Sequence, residues 1–278
     1  MFVSTSGIIA RPTAAAALLL DTYSGAAVAY SAARRLSSTY TGSLIRVRRS
    51  SDNAEQDIGY DANNVLDESA LTTFVGANNG FVTTWYDQSG NNKNASQSTA
   101  IQQPRIVLSG TIEKLLNKPS LRFFSSSNTT FQLDFSTGSF SAASAFTLYN
   151  RTSATSEYAV ISAFAGLSLN YHHPYISSTY DGFFMTSRLS LGSTSIGTGN
   201  FILQQINNGT SLTDYYNNIS SNTVNGTFAK SSIYKIGGNL DAAYYLDDKM
   251  SEHILWLSNK SSDRTGINTN INTFYSIY

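Results

Sequence analysis

The most concentrated chemistry in the chain is the run Trp85, Tyr86, Asp87, Gln88, Ser89, Gly90 and Asn91, with Asn92 behind it. A carboxylate, amide groups and backbone carbonyls gathered in one short loop are the oxygen ligands that suit calcium. The same residues suit a turn in which Asp87 and Asn91 bond neighbouring backbone N–H groups. A complete calcium loop would end in a glutamate, and this one does not. The turn is therefore the preferred reading; no cofactor is expected, and calcium is the ion to consider. A strand running into the turn sends Trp85 and Tyr86 to opposite faces, so the motif is expected to organise the fold rather than to hold a ligand.

Tyr171, Tyr175, Tyr180, Tyr244 and Tyr245 form a second group with chemical potential. Tyrosine rings stack on sugar faces and their hydroxyls hydrogen-bond, but tyrosine-rich surfaces also make protein interfaces; both readings stay open. His172 and His173 are adjacent, and neighbours on a strand point to opposite faces, so they do not chelate together and no metal site is expected. His253 is expected at the edge of the core on the last strand. Arg46, Arg48 and Arg49 make the one basic cluster of note, and Asp52, Glu55 and Asp57 follow closely enough to neutralise it.

These groups must be positioned mostly by strands. Leu44 to Arg48 alternates, and Phe81 to Tyr86 is a run of strong β-formers. Further strands are predicted around Ile106–Leu108, Leu121–Phe124, Phe146–Tyr149, Ala159–Ile161, Gly182–Met185, Phe201–Ile206, Leu212–Tyr216, Ser232–Ile236 and His253–Leu257. Asn207-Asn208-Gly209 and Asn217-Asn218 read as hairpin corners, because Asn and Gly tolerate positive φ. Helical spacing is predicted over Asp21–Ser38, with Ala27, Tyr30, Ser31, Arg34 and Arg35 in register, over Asp67–Phe74 with Asp67 as cap, and over Ser261–Tyr278, where Ile267, Ile271, Phe274 and Tyr278 share a face.

Composition agrees. The 278 residues include 17 Tyr and 15 Phe against 4 Pro, and only 13% are charged, which favours half-buried pleated surfaces. Positive and negative side chains balance at 18 each, without the basic excess of a nucleic-acid binder. The apolar run Ala14–Leu20 is far short of the ~20 residues that span a membrane. No cysteine is present, so disulfides, thiolate metal sites and a cysteine nucleophile are excluded. Many short strands separated by Gly, Asn and Ser point to an all-β, concanavalin-A-like jelly-roll sandwich with a short early helix and a C-terminal helix. It occupies residues 21–278, behind an arm of residues 1–20 whose Phe2, Val3, Ile8 and Ile9 serve attachment or oligomerisation.

The stretch from Tyr30 to Phe123 carries a resemblance. Ser37-Ser38-Thr39-Tyr40-Thr41-Gly42, Val47-Arg48-Arg49-Ser50-Ser51-Asp52-Asn53, Asp57-Ile58-Gly59 and Trp85-Tyr86-Asp87-Gln88-Ser89-Gly90-Asn91 resemble the opening half of the catalytic domain of fungal α-L-arabinofuranosidase B. Similar blocks occur in bacteriophage virion and gut-bacterial proteins, joined to jelly rolls. Asp214-Tyr215-Tyr216-Asn217-Asn218, Tyr234-Lys235-Ile236-Gly237-Gly238 and Leu246 to Glu252 resemble the strands of such a jelly roll. The arabinofuranosidase resemblance implies two catalytic carboxylates in the second half, about 5 Å apart for a retaining enzyme, and adjacent cysteines at the sugar site. The cysteines are absent, and Glu157, Asp181, Asp214, Asp241, Asp247, Asp248, Glu252 and Asp263 fall in no matching motif. The expectation is therefore a non-enzymatic bacteriophage virion protein, a fibre, spike or surface-decoration subunit. It would be located in the virion as a homo-oligomer, a trimer by preference, contacting other virion proteins and a surface glycan, but neither nucleic acid nor membrane. A bacterial lectin-like module and an arabinofuranosidase-type hydrolase are the alternatives.

Overall fold

The computed structural model describes residues 17–126, 129–130, 133–136, 142–152, 161–165, 168–174, 180–181, 198–225, 233–237 and 246–278. Within them an early strand and the last strand pair at one side of an antiparallel sheet. Val28–Ser31 pairs with Lys249–Trp256, with Val28 opposite Leu255 and Ser31 opposite Glu252. Lys249–Trp256 pairs on its other side with Ala143–Arg151, and the sheet continues through Gly199–Asn207, Ser211–Tyr216 and Ile219–Asn225. The second sheet runs from Glu55–Ile58 through Ile45–Arg49 and Gly80–Trp85 to Ala95–Ser96. From there it passes to Leu133–Ser136, Ile233–Ile236, Ile161–Ala165 and Ser168–Pro174. Leu121–Arg122 turns the corner, pairing with Met250 and Lys249 on one side and Arg105 on the other.

The first sheet is covered on both faces. Val28, Tyr30, Leu203, Leu212, Tyr216 and Leu255 pack inward with Val47, Val82 and Trp85 of the second sheet. On its outer face, Phe146, Leu148, Ile202, Ile254 and Trp256 pack against helix α1, Leu19–Thr22, and helix α3, Arg264–Tyr275. Ala143–Arg151 and Lys249–Trp256 are consequently buried at every position but one, the near-continuous pattern of a strand covered on both sides. The all-β sandwich with short helices at either end agrees with the sequence.

Local signals explain most of the elements. Helix α2, Glu68–Val75, starts where the Asp67 carboxylate accepts from the Ala70 N–H at 2.8 Å. Asn217 and Asn218, at φ 47° and 71°, turn Ser211–Tyr216 back into Ile219–Asn225, the two-residue corner that needs positive φ at both positions. Asn208 turns the preceding hairpin by accepting from the N–H groups of Thr210 and Ser211.

Three expectations are corrected. The helix predicted over Asp21–Ser38 is a turn of helix, Leu19–Thr22, followed by the strand Val28–Ser31. Residues 26–34 are all buried, largely small and apolar, so their spacing is not an amphipathic stripe, and pairing with the last long strand wins. His253 is not at the core edge but fully buried. Tyr278 is exposed beyond the end of α3, whose buried face is Ile267, Asn268, Ile271 and Tyr275. Leu19 and Leu20 are packed with α3. Phe2, Val3, Ile8 and Ile9 lie outside the described residues, as does the strand predicted at Gly182–Met185.

Candidate functional site

The polar motif is tied almost wholly into the protein. Trp85 is fully buried in the inter-sheet core, with its ring 5.5 Å from that of Tyr30, while Tyr86 points the other way and is partly exposed. The Asp87 carboxylate accepts from the N–H groups of Ala29 (2.9 Å), Ser89 (2.9 Å) and Lys93 (3.0 Å) and from the Ser89 hydroxyl (2.8 Å). Gln88 accepts from the Leu36 N–H and donates to the Arg34 carbonyl; Asn91 donates to the carbonyls of Ala26 and Ala27. The loop thus satisfies backbone groups along residues 26–36, on both sides of the Val28–Ser31 strand. Among the described residues no cluster of His, Asp or Glu has the arrangement of a metal site.

Three charged groups of the second half are buried. Asp214 is buried on the inward face of Ser211–Tyr216, accepting from the Gln205 amide at 3.2 Å. Loss of hydration pushes its pKa up to about 7, outweighing that bond, because burial disfavours the charged carboxylate. Asp248, at the corner of the sheets, accepts from the Thr152 N–H (3.0 Å) and hydroxyl (2.7 Å). Its pKa is also raised by burial, against the pull of those bonds and of Arg122, which pairs with Asp247 at 2.9 Å. Glu252 holds Arg34 through two bonds of 2.9 and 2.8 Å, with Asn270 and Tyr275 of α3 completing the group. Burial opposes the Arg34 charge, but the carboxylate beside it raises its pKa overall.

Register decides how these can work together. Asp214 lies opposite Gln205, Gln205 opposite Ala145, and Ala145 opposite Leu255. Asp248 lies seven residues before Leu255, on the order of 20 Å along the strand at the usual rise. Asp214 and Asp248 therefore do not form a carboxylate pair at the ~5 Å of retaining geometry. Glu157 and Asp241 lie outside the described residues, and Asp181 is placed as backbone in a short strand, Tyr180–Asp181.

Of the tyrosines proposed to meet a ligand, Tyr171 lies on the backbone strand Ser168–Pro174 and Tyr180 on Tyr180–Asp181, two strands that pair. Tyr175, Tyr244 and Tyr245 lie outside the described residues. His172 and His173 occupy the same strand as Tyr171. The burial of Asp214, Arg34 and Glu252 was missed; the one signal for it in the sequence was a charged residue at an inward step of an alternating strand, as Asp214 is between Leu212 and Tyr216.

Comparison with known proteins adds the family. A family model described as "Alpha-L-arabinofuranosidase B, catalytic" matches residues 21–164, just over half of the chain. A probable alpha-L-arabinofuranosidase B of Aspergillus clavatus is 34% identical over 102 residues, which are 35% of this chain and 20% of that protein. A GH54 a-l-arabinofuranosidase soaked with a cyclic sulfate inhibitor shares the fold at TM-score 0.66 and 15% identity, over 91% of this chain and 64% of that one. An arabinofuranosidase complexed with arabinofuranosyl-alpha-1,2-xylobiose covers the same shares at TM-score 0.61 and 16% identity. The chain thus spans less than two thirds of the solved relatives and matches a fifth of the curated one. These findings overturn the expectation of a bacteriophage virion protein, fibre or spike, and with it the expectation that the chain is not an enzyme: the family model and the curated relative both point to an α-L-arabinofuranosidase B catalytic domain. The expectation rested on the missing cysteines and unmatched carboxylates of the second half, whereas the motif-rich first half carries the kinship. By the match across residues 21–164, the chain belongs to the α-L-arabinofuranosidase B catalytic family.

Proposed function

We propose that this protein is a glycoside hydrolase that releases α-L-arabinofuranosyl groups from a glycan. The observation that carries the reading is the family match over residues 21–164. Such chemistry needs one carboxyl to protonate the leaving oxygen and a second carboxylate to attack the anomeric carbon or activate water. A proton donor must retain its proton near working pH, which burial achieves by raising a carboxyl pKa. Asp214 and Asp248 are the described second-half carboxyls held in that direction. Each is a donor candidate, and because they stand far apart they do not serve as donor and nucleophile of one site.

The test is release of 4-nitrophenol from 4-nitrophenyl α-L-arabinofuranoside by the intact protein, from acid to neutral pH. Turnover is expected, and replacing the donor by Asn should lower it by about 10²–10⁴-fold. No release at any pH, or an arabinoside that binds without being cleaved, would overturn the hydrolytic reading.

A further inference from the structure

A cleft of about 480 Å³ opens on the outer side of the polar motif, between residues 39–43 and the loop from Tyr86 to Asn94. Its volume is in the range of small-molecule sites. Two tyrosines and one carboxylate give it chemical character. The Tyr86 hydroxyl donates to the Asp57 carboxylate at 2.6 Å, and Arg46 grips the same carboxylate through two bonds of 2.8 and 2.9 Å. Asp57 is thereby neutralised and its pKa lowered, first by the Arg46 bond. The Asp87 carboxylate, also at the cleft, is spent on N–H and hydroxyl donors. The cleft therefore presents carboxylate oxygens, those of Asp57 paired with Arg46 and those of Asp87 hydrogen-bonded but, among the described residues, facing no cation.

The Tyr40 ring lies against Gly42 so closely that a Cβ at Gly42 would come within 2.7 Å of its hydroxyl oxygen. Tyr40 is held at the cleft by its hydroxyl, which donates to the Ser43 carbonyl at 2.5 Å, and a side chain at Gly42 would have to push the ring aside. Thr41, Ser43 and Asn92 also line the cleft, and their side chains make no hydrogen bond among the described residues. Aromatic faces for C–H groups, and hydroxyl, amide and carboxylate groups for O–H groups, are what a neutral saccharide requires. They are poorly suited to an anion, whose one nearby guanidinium is already paired, and to an apolar ligand.

We propose that this cleft, lined wholly by residues 39–94, binds a neutral oligosaccharide, whereas the proposed hydrolytic chemistry draws on second-half carboxylates. Tyr86 and Tyr40 flank the sugar rings, the Asp57 oxygens accept from ring hydroxyls, and Thr41, Ser43 and Asn92 complete the contacts. The choice of pentose probes rests on the proposed arabinofuranosidase activity; the cleft chemistry does not.

The test titrates the intact protein with linear xylo-oligosaccharide, which has no arabinofuranosyl group to release, and follows binding by calorimetry. Binding by wild type is expected, with Tyr86→Ala weakening it about ten-fold through loss of one aromatic contact. Turnover of 4-nitrophenyl α-L-arabinofuranoside should remain unchanged in that variant. Gly42→Ala, which displaces the Tyr40 ring, gives a second reading should Tyr86→Ala fail to fold. Absence of binding by wild type, or folded variants that bind as wild type does, overturns the cleft. Binding that survives without any turnover of the aryl substrate supports the cleft and removes the hydrolytic reading, so the two can fail separately.

Discussion

Two buried titratable side chains in one sheet should give this protein an unusual dependence of stability on pH. His253 is fully buried beside the Thr147 hydroxyl, 3.0 Å from its Nδ1, and burial drops its pKa to about 3. The unfolded chain takes up a proton at the ordinary histidine pKa of about 6.5, so His253 makes stability fall as pH drops below that value. Asp214 acts in the opposite sense. Its folded pKa of about 7 lies above the unfolded value of roughly 4, so stability declines as pH rises between them. In the wild type the two slopes oppose each other through mildly acid pH. Asp214→Asn should remove one of them: the variant should gain stability at neutral pH, on the order of 2–4 kcal/mol, and its stability should rise steadily from acid to neutral pH. Urea melts of both proteins across that range check this; parallel profiles would mean that Asp214 is ionised in the folded protein.

Among the elements, α3 is held by a polar anchor as well as by packing. Arg34, just after the Val28–Ser31 strand, bonds Glu252 in the Lys249–Trp256 strand and Asn270 in α3, and Tyr275 reaches the same carboxylate at 3.2 Å. Glu252→Ala leaves a buried guanidinium unpaired, which costs about 3–5 kcal/mol and should loosen α3 first. Hydrogen exchange is expected to show residues 264–275 losing protection before the strands do. The short helix α1 packs against the same side through Leu19 and Leu20. A chain starting at Asp21 should therefore be less stable than one starting at Ala17, by about 2–5 kcal/mol for each buried leucine lost. Thermal melts of the two truncations distinguish a helix that belongs to the core from one that belongs to a detachable arm.

For the molecule as a whole, the absence of cysteine separates it from the sugar site that the family resemblance implies, where adjacent cysteines are expected. If arabinofuranosidase activity is present, it must proceed without a thiol or a disulfide. Turnover should be unchanged by reducing agents and by thiol-alkylating reagents; loss of activity on either treatment would point to a contaminating enzyme.

Much of the sandwich was legible in the sequence because its signals are local. Asn217-Asn218 sets a hairpin by its own φ preferences, Asp67 caps α2 with its own carboxylate, and the Phe81–Tyr86 run declares a strand by composition. The motif from Trp85 to Asn91 marked the family in the same way, through identities within a few residues. What the sequence did not reveal depends on partners far along the chain. Val28–Ser31 is a strand because Leu255 to Glu252 lie alongside it, and no property of Gly25 to Ala33 announces that neighbour. Arg34 meets Glu252 across 218 positions. Asp214 and His253 acquire their protonation states from burial under the opposing sheet. Turn chemistry and strand propensity are set within a few residues of chain, whereas desolvation and pairing are set by which distant segments close over them, and only the assembled sheets decide that.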